Sequence, residues 1–173
     1  MSSGTPGSCP KSSYAAADAG PSRSSCEQPP EESAGSIARV RVRGIHHLGV
    51  AVADLDEAIA TYERLFGARV ELRDALAEQG VEAASLLVGD SRIELLAPTG
   101  EDTPVGRFLA RRGPGMHHLA LESTDVAMTI RELSAAGAEL VDERPRRGLF
   151  GKEVAFVHPG AVHGVLTEVV SSG

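Results

Sequence analysis

One short phrase occurs twice in this chain. Gly44-Ile45-His46-His47-Leu48-Gly49-Val50 returns 71 positions later as Gly115-Met116-His117-His118-Leu119-Ala120-Leu121. Each copy leads into an acidic helix start, Asp54 in the first and Asp125 in the second. Each is followed, at nearly equal distance, by a glutamate inside an apolar run. These are Glu94 in Ile93-Glu94-Leu95-Leu96 and Glu168 in Val165-Leu166-Thr167-Glu168-Val169-Val170. Units this small cannot bury their apolar faces alone, so two copies must pack against each other. A repeated unit carrying one His and one Glu at matching places can then bring four ligands to one ion.

The pattern within each copy predicts β-α-β-β-β. Gly44 to Ala53 alternates as a strand does, and Asp54 with Glu57 three residues on forms a capping box. Leu55, Ile59, Tyr62, Leu65 and Phe66 recur at helical spacing, and Gly67 closes that helix. Strands are expected near 68–74, 82–88 and 92–97, then a short helix over Pro104 to Arg112. The second copy predicts a strand at 116–122 and a helix capped by Thr124 or Asp125 and stopped by Gly137. Its last strands are expected near 138–142, 153–157 and 164–170. The fold class is α+β: modules 43–99 and 114–171 forming curled mixed sheets around a shared cleft, within one domain over 39–173.

Residues 1–38 are rich in Ser, Gly, Pro and Ala with almost no large apolar side chains, which predicts a disordered tail. Both cysteines, Cys9 and Cys26, fall there, so a disulfide framework for the core is not expected. The formal charge of −7 argues against a nucleic-acid backbone as the main partner. No apolar run reaches the roughly 18 residues that a membrane span needs. No leader of signal or transit type is evident, which makes the cytoplasm the expected compartment.

Strict alternation would send His46 and His47 to opposite faces of their strand, and His117 and His118 likewise. The repeat alone leaves open which of each pair faces the cleft. A glutamate inside an apolar strand is costly to bury unless paired or metal-bound. Two such glutamates, each in phase with a His of its own module, point to a metal site. Two imidazoles and two carboxylates suit a divalent ion such as Co²⁺, Mn²⁺, Fe²⁺, Ni²⁺ or Zn²⁺. The remaining members of the pairs, His46 and His117, and the late-loop His158 and His163 are read as ordinary surface or core histidines.

From residue 43 to 170 the chain resembles the methylmalonyl-CoA epimerases, metal enzymes of the vicinal oxygen chelate superfamily built from paired βαβββ modules. The resemblance rests on Glu78-Gln79-Gly80-Val81, Ile93 to Pro98, Gly115 to Ala120, Asp142 to Gly148, Gly151-Lys152, Phe156-Val157-His158-Pro159 and Gly164 to Glu168. It implies metal ligands at His47, Glu94, His118 and Glu168, so that the second His of each pair is the ligand. Co²⁺ is the favoured ion, and Glu168 is the implied base. The implied partner is an acyl-CoA, methylmalonyl-CoA, and the implied assembly a homodimer.

Inversion at C2 also needs a proton carrier on the opposite face. Some relatives place a glutamate where this chain has Ala83, while Glu82 should point away, so that role is unassigned. Arg111, Arg112, Arg146, Arg147 and Lys152 are available for CoA phosphates. Two competing readings are a glyoxalase I-type lactoylglutathione lyase and a metal-free binding or resistance protein of the same fold. An extradiol dioxygenase, with three protein ligands on iron, fits a four-ligand set poorly.

Overall fold

The computed structural model describes residues 42–172, so the N-terminal segment and both cysteines lie outside the described residues. The first module contains β1 (Val42–Ala51), α1 (Leu55–Phe66), β2 (Arg69–Leu76), β3 (Val81–Val88) and β4 (Ser91–Pro98). A linking helix, α2 (Pro104–Arg112), leads to β5 (Gly115–Ser123) and α3 (Val126–Ala135). The strands β6 (Arg146–Arg147), β7 (Glu153–Val157) and β8 (Thr167–Ser171) complete the second module.

All three α-helices among the described residues start on a side-chain cap. Asp54 Oδ1 accepts the Glu57 N–H at 2.8 Å, and Asp125 Oδ1 accepts the Met128 N–H at 2.8 Å. Thr103 Oγ1 does the same for Gly106 at 3.1 Å, with Pro104 in the first turn. Gly67, at φ 63°, ends α1 in the left-handed conformation that a side chain would resist.

The strands form one eight-stranded sheet in the order β2-β3-β4-β1-β5-β8-β7-β6. β1 runs parallel to β4 and β5 parallel to β8, and the two modules join through the antiparallel pair β1–β5. Each module alone would leave its first strand as an open edge; pairing the two edges satisfies both. The expected pair of curled sheets is thus a single continuous one.

The outer face packs under helices. Ile59 of α1 meets Ala84, Leu86, Leu95 and Ala97, and Val126 and Ile130 of α3 meet Ala155, Val157 and Val169. Alternation then turns Ala83, Ser85, Glu94 and Leu96 of β3 and β4, and Glu168 of β8, to the inner side. There Ala51, Val81, Ala83, Leu96 and Val105 of α2 make a third apolar cluster.

Two expectations for the second module are corrected. Residues 138–142 make no strand: Leu140 forms an isolated bridge with Val157, and the outer pairing falls to the two residues of β6. The reason is local. Asp142 Oδ2 accepts the Phe156 N–H at 3.0 Å, and Pro145 has no N–H to give. The last strand begins at Thr167, later than expected, because Pro159–Val162 coil into a 3-10 turn that ends with His163 at φ 57°.

Candidate metal centre and its cleft

Four side chains from four strands converge in the cleft: His47 of β1, Glu94 of β4, His118 of β5 and Glu168 of β8. All are buried, with relative exposures of 6%, 7%, 3% and 7%. His47 Nε2 and His118 Nε2 lie 3.0 Å apart. Glu168 Oε2 is 3.3 Å from the first and 3.5 Å from the second. Glu94 stands slightly farther out, its Oε1 3.8 Å from His47 Nε2.

Register explains the convergence. Gly49 faces Glu94 across β1–β4 and His118 across β1–β5, while Ala120 faces His47 on one side and Glu168 on the other. Small residues at the centre of both modules leave room for the rings.

Glu168 Oε2 is the decisive atom. It is buried, and despite the two nearby nitrogens it has no hydrogen-bond partner among the described residues. An unpartnered buried carboxylate oxygen is expensive. Two imidazole nitrogens and a carboxylate oxygen meeting at one point can share a cation. Ligands about 2.1 Å from an ion and about 90° apart are themselves about 3.0 Å apart, which is the spacing of the two Nε2 atoms. The residues present therefore fit a divalent metal. His47, His118 and Glu168 form the tight group, and Glu94 stands beside it.

The charges are mutually adjusted. Burial works against ionised Glu168, but the imidazoles of His118 and His47 outweigh it and hold the carboxyl at about 2. Burial likewise opposes protonation of His47, yet Glu168 and then Glu94 raise its pKa above the ordinary value. Burial pushes Glu94 upward.

The alternation argument for the histidine pairs is overturned. Both His46 and His47 face the cleft, as do His117 and His118. The cause is a β-bulge at the first His of each pair. Pairing steps from Ile45↔Leu121 to His47↔Ala120, leaving His46 extra, and from Gly49↔His118 to Val50↔Met116, leaving His117 extra. A bulge suspends alternation and re-aims a side chain. Sequence reasoning therefore missed His46 and His117, although the repetition of both histidines in both copies was an available signal.

The cleft encloses about 930 Å³. Cations at its wall are Arg92, Arg107, Arg111, Arg112, Arg146 and Lys152. Of the five noted as available, Arg147 does not line it, while Arg92 and Arg107 line it as well. Arg92 is held by Glu71 at 2.9 Å, and Arg146 by Asp142 at 3.0 Å while lying over the Phe156 ring. Ala83 is fully buried, and Glu82 is exposed, so neither puts a carboxylate into the cleft. His158 and His163 stand apart from the cleft lining.

A family model described as Glyoxalase/Bleomycin resistance protein/Dioxygenase superfamily matches residues 46–156, and the chain belongs to that superfamily. Its relatives there include methylmalonyl-CoA epimerases. The human mitochondrial methylmalonyl-CoA epimerase is 33% identical over 147 residues, covering 84% of this chain and 82% of the human protein. The ethylmalonyl-CoA/methylmalonyl-CoA epimerase of Cereibacter sphaeroides is 34% identical over 127 residues, covering 72% and 95%. The fold superposes on the Streptomyces coelicolor methylmalonyl-CoA epimerase in complex with 2-nitronate-propionyl-CoA. The TM-score is 0.74 and the identity 37%, over 77% of this chain and 99% of that one.

Proposed function

We propose that this protein is a metal-dependent isomerase that interconverts the (R) and (S) forms of methylmalonyl-CoA at C2. The observation that carries the reading is the orphaned Glu168 oxygen, buried 3.3 and 3.5 Å from two converging imidazoles. His47, Glu94, His118 and Glu168 would hold the ion. When bound, the ion would act as a Lewis acid that polarises the substrate's carbonyl oxygens and lowers the barrier to removing the C2 proton by several kcal/mol.

Glu168 is the group we assign to that proton. A free carboxylate, with a reference pKa of about 4.3, is a weak base toward a C–H flanked by a thioester and a carboxylate. The Glu168 carboxyl stays ionised, held at about 2 by the neighbouring imidazoles, which weakens it further as a base. The acidity of C2 must therefore come from polarisation of the substrate's carbonyl oxygens. The apolar side chains of Val81, Leu96, Val105 and Phe156 line the same cleft. The methyl of Ala83 supplies no proton carrier, and Glu82 faces away.

The substrate class follows from charge. A protein of net charge −7 places six basic side chains around one cleft, two of them paired with Glu71 and Asp142. Such a rim suits the phosphates of an acyl-CoA. The relatives favour this chemistry over a glyoxalase I reaction, since those described above are epimerases. The buried carboxylates argue against a metal-free binder, in which apolar residues would serve better. We further propose Co²⁺ as the favoured ion among Mn²⁺, Ni²⁺, Fe²⁺ and Zn²⁺, a homodimer as the working form, and the cytoplasm as its compartment. No helix among the described residues is long and apolar enough to cross a membrane.

Solvent deuterium exchange at C2 of methylmalonyl-CoA tests the assignment. Exchange should require added divalent metal and fall at least about a hundredfold in Glu168→Gln, the range expected when a positioned base is lost. Exchange that persists after chelation, or at the wild-type rate in the variant, would refute it.

A further inference from the structure

His46 and His117 have no part in the mechanism above, yet the fold turns both into the cleft by the same device in each module. Each is the extra residue of a β-bulge, and each lies against the ring that follows it. His46 Nδ1 is 2.8 Å from His47 Nδ1, and His117 Nδ1 is 3.1 Å from His118 Nδ1. In both pairs the rings meet edge to face, with interplanar angles of 76° and 84°. Phe108 packs on His117 in the same manner, its centroid 4.9 Å away.

Ring chemistry limits what these contacts can be. A hydrogen bond between two Nδ1 atoms needs one proton and one lone pair. His47 and His118 turn Nε2 toward each other and toward Glu168. An imidazole that offers a lone pair at Nε2 carries its proton on Nδ1. That proton points at the preceding histidine, which must then accept at Nδ1 and keep its own proton on Nε2.

We propose that His46 and His117 are positioning residues. Each accepts the Nδ1–H of the adjacent ligand histidine, fixing its tautomer and aiming its Nε2 lone pair at the metal. Ligand histidines are commonly oriented by a carboxylate or a carbonyl behind them, and losing that partner costs about 10- to 100-fold in metal affinity. Here the acceptor is a neutral imidazole, which adds no negative charge to a cup already holding Glu94 and Glu168. The inference rests on the metal-centre reading of the same site.

Nitrogen NMR of the full-length protein, ¹⁵N-labelled at histidine and loaded with Zn²⁺, tests it directly. His46 and His117 should each show a protonated Nε2 and a bare Nδ1. A ¹⁵N–¹⁵N coupling should cross each Nδ1–H···Nδ1 bond. Protonated Nδ1 on either residue in a protein that binds Zn²⁺ overturns this inference and leaves the metal centre standing. Failure of the wild type to bind Zn²⁺ overturns both.

Co²⁺ titration of substituted proteins gives a second reading. His46→Leu and His117→Leu should each lose about 10- to 100-fold in Co²⁺ affinity. His46→Asn and His117→Asn, whose Oδ1 stands near the place of Nδ1, should lose much less. Wild-type affinity in the leucine variants, or equal losses in leucine and asparagine, would reduce the contact to packing and sink the proposal. Should the leucine variants not fold, the wild-type NMR result decides alone.

Discussion

Gly49 lies directly opposite His118 in the β1–β5 pairing, and the His118 ring fills the space where a side chain at position 49 would begin. A Cβ there would overlap the ring and stand 2.7 Å from Nε2, the atom aimed at His47. The backbone at Gly49 is ordinary extended strand, so alanine meets no conformational penalty of its own.

Gly49→Ala should therefore leave the fold in place while pushing His118 out of the cup. We expect near-native circular dichroism, a loss of metal affinity of at least about tenfold, and epimerase activity reduced in proportion. Isothermal titration with Co²⁺ reads the first effect. Unchanged affinity in this variant would mean that the His118 ring does not need its observed position.

Metal binding should depend on pH through His47 more than through Glu168. The carboxyl of Glu168 is held at about 2 and stays ionised across the accessible range. His47 has a raised pKa in the metal-free protein, so a proton competes with the ion there from above pH 6.5 downward. Apparent affinity should fall by about tenfold per pH unit below that point for this one proton.

The stability of the metal-free protein moves the other way. A raised histidine pKa contributes stability that is present below the unfolded value and lost as pH rises through the folded value. The depressed Glu168 contributes stability that is present above its unfolded value and lost only as pH falls toward about 2. Added metal should accordingly stabilise the protein more at pH 8 than at pH 6. At a hundredfold excess over Kd the gain approaches about 2.7 kcal/mol. Thermal melts at both pH values, with and without chelator, check the sign.

Much of this site was legible in the chain because duplication is itself information. His47 and His118, with Glu94 and Glu168 at matching intervals, mark equivalent points of two modules, and equivalent points meet when modules pair edge to edge. The cap of α1 was equally plain, since Asp54 acts on a residue only three positions away, and that of α3 was narrowed to Thr124 or Asp125. What failed was any inference that assumes an unbroken ladder. Alternation allowed only one histidine of each pair to face the cleft, and only the pairing of β1 with β5 reveals the bulge that brings in both. Arg92 and Arg107 were missed for a related reason. Their place at the rim depends on how β4 and α2 sit against the second module, which no local pattern encodes.

The basic rim should act on binding and not on chemistry. Arg111 and Arg112 occupy the last turn of α2 and line the cleft beyond the metal cup. Replacing both with glutamine should raise KM for methylmalonyl-CoA by about tenfold, the equivalent of about 1.4 kcal/mol. The value of kcat should stay within about twofold, since uniform binding is what such contacts supply. Raising the salt concentration should increase the wild-type KM and narrow the gap between the two proteins, as screening removes the contribution of both arginines.

Asp74 and Phe150 clasp the two modules at the end of the cleft. Phe150 adopts φ 56°, a left-handed conformation that costs a residue with a side chain about 1–2 kcal/mol. Its N–H donates to Asp74 Oδ2 at 2.6 Å, across a sequence separation of 76 residues. Phe150 and Leu149 pack against the cluster that contains Val81, Ala83 and Leu96. Asp74→Ala should destabilise the protein by about 1.5–3 kcal/mol, the range for a hydrogen bond to a charged group. Glycine at position 150 accepts the left-handed conformation without penalty, so Phe150→Gly should lower the cost of losing Asp74. A double-mutant cycle in urea should then give a coupling of about 1 kcal/mol between the two positions. Simple additivity would mean that the bond is incidental and that the packing of Leu149 and Phe150 alone holds the turn.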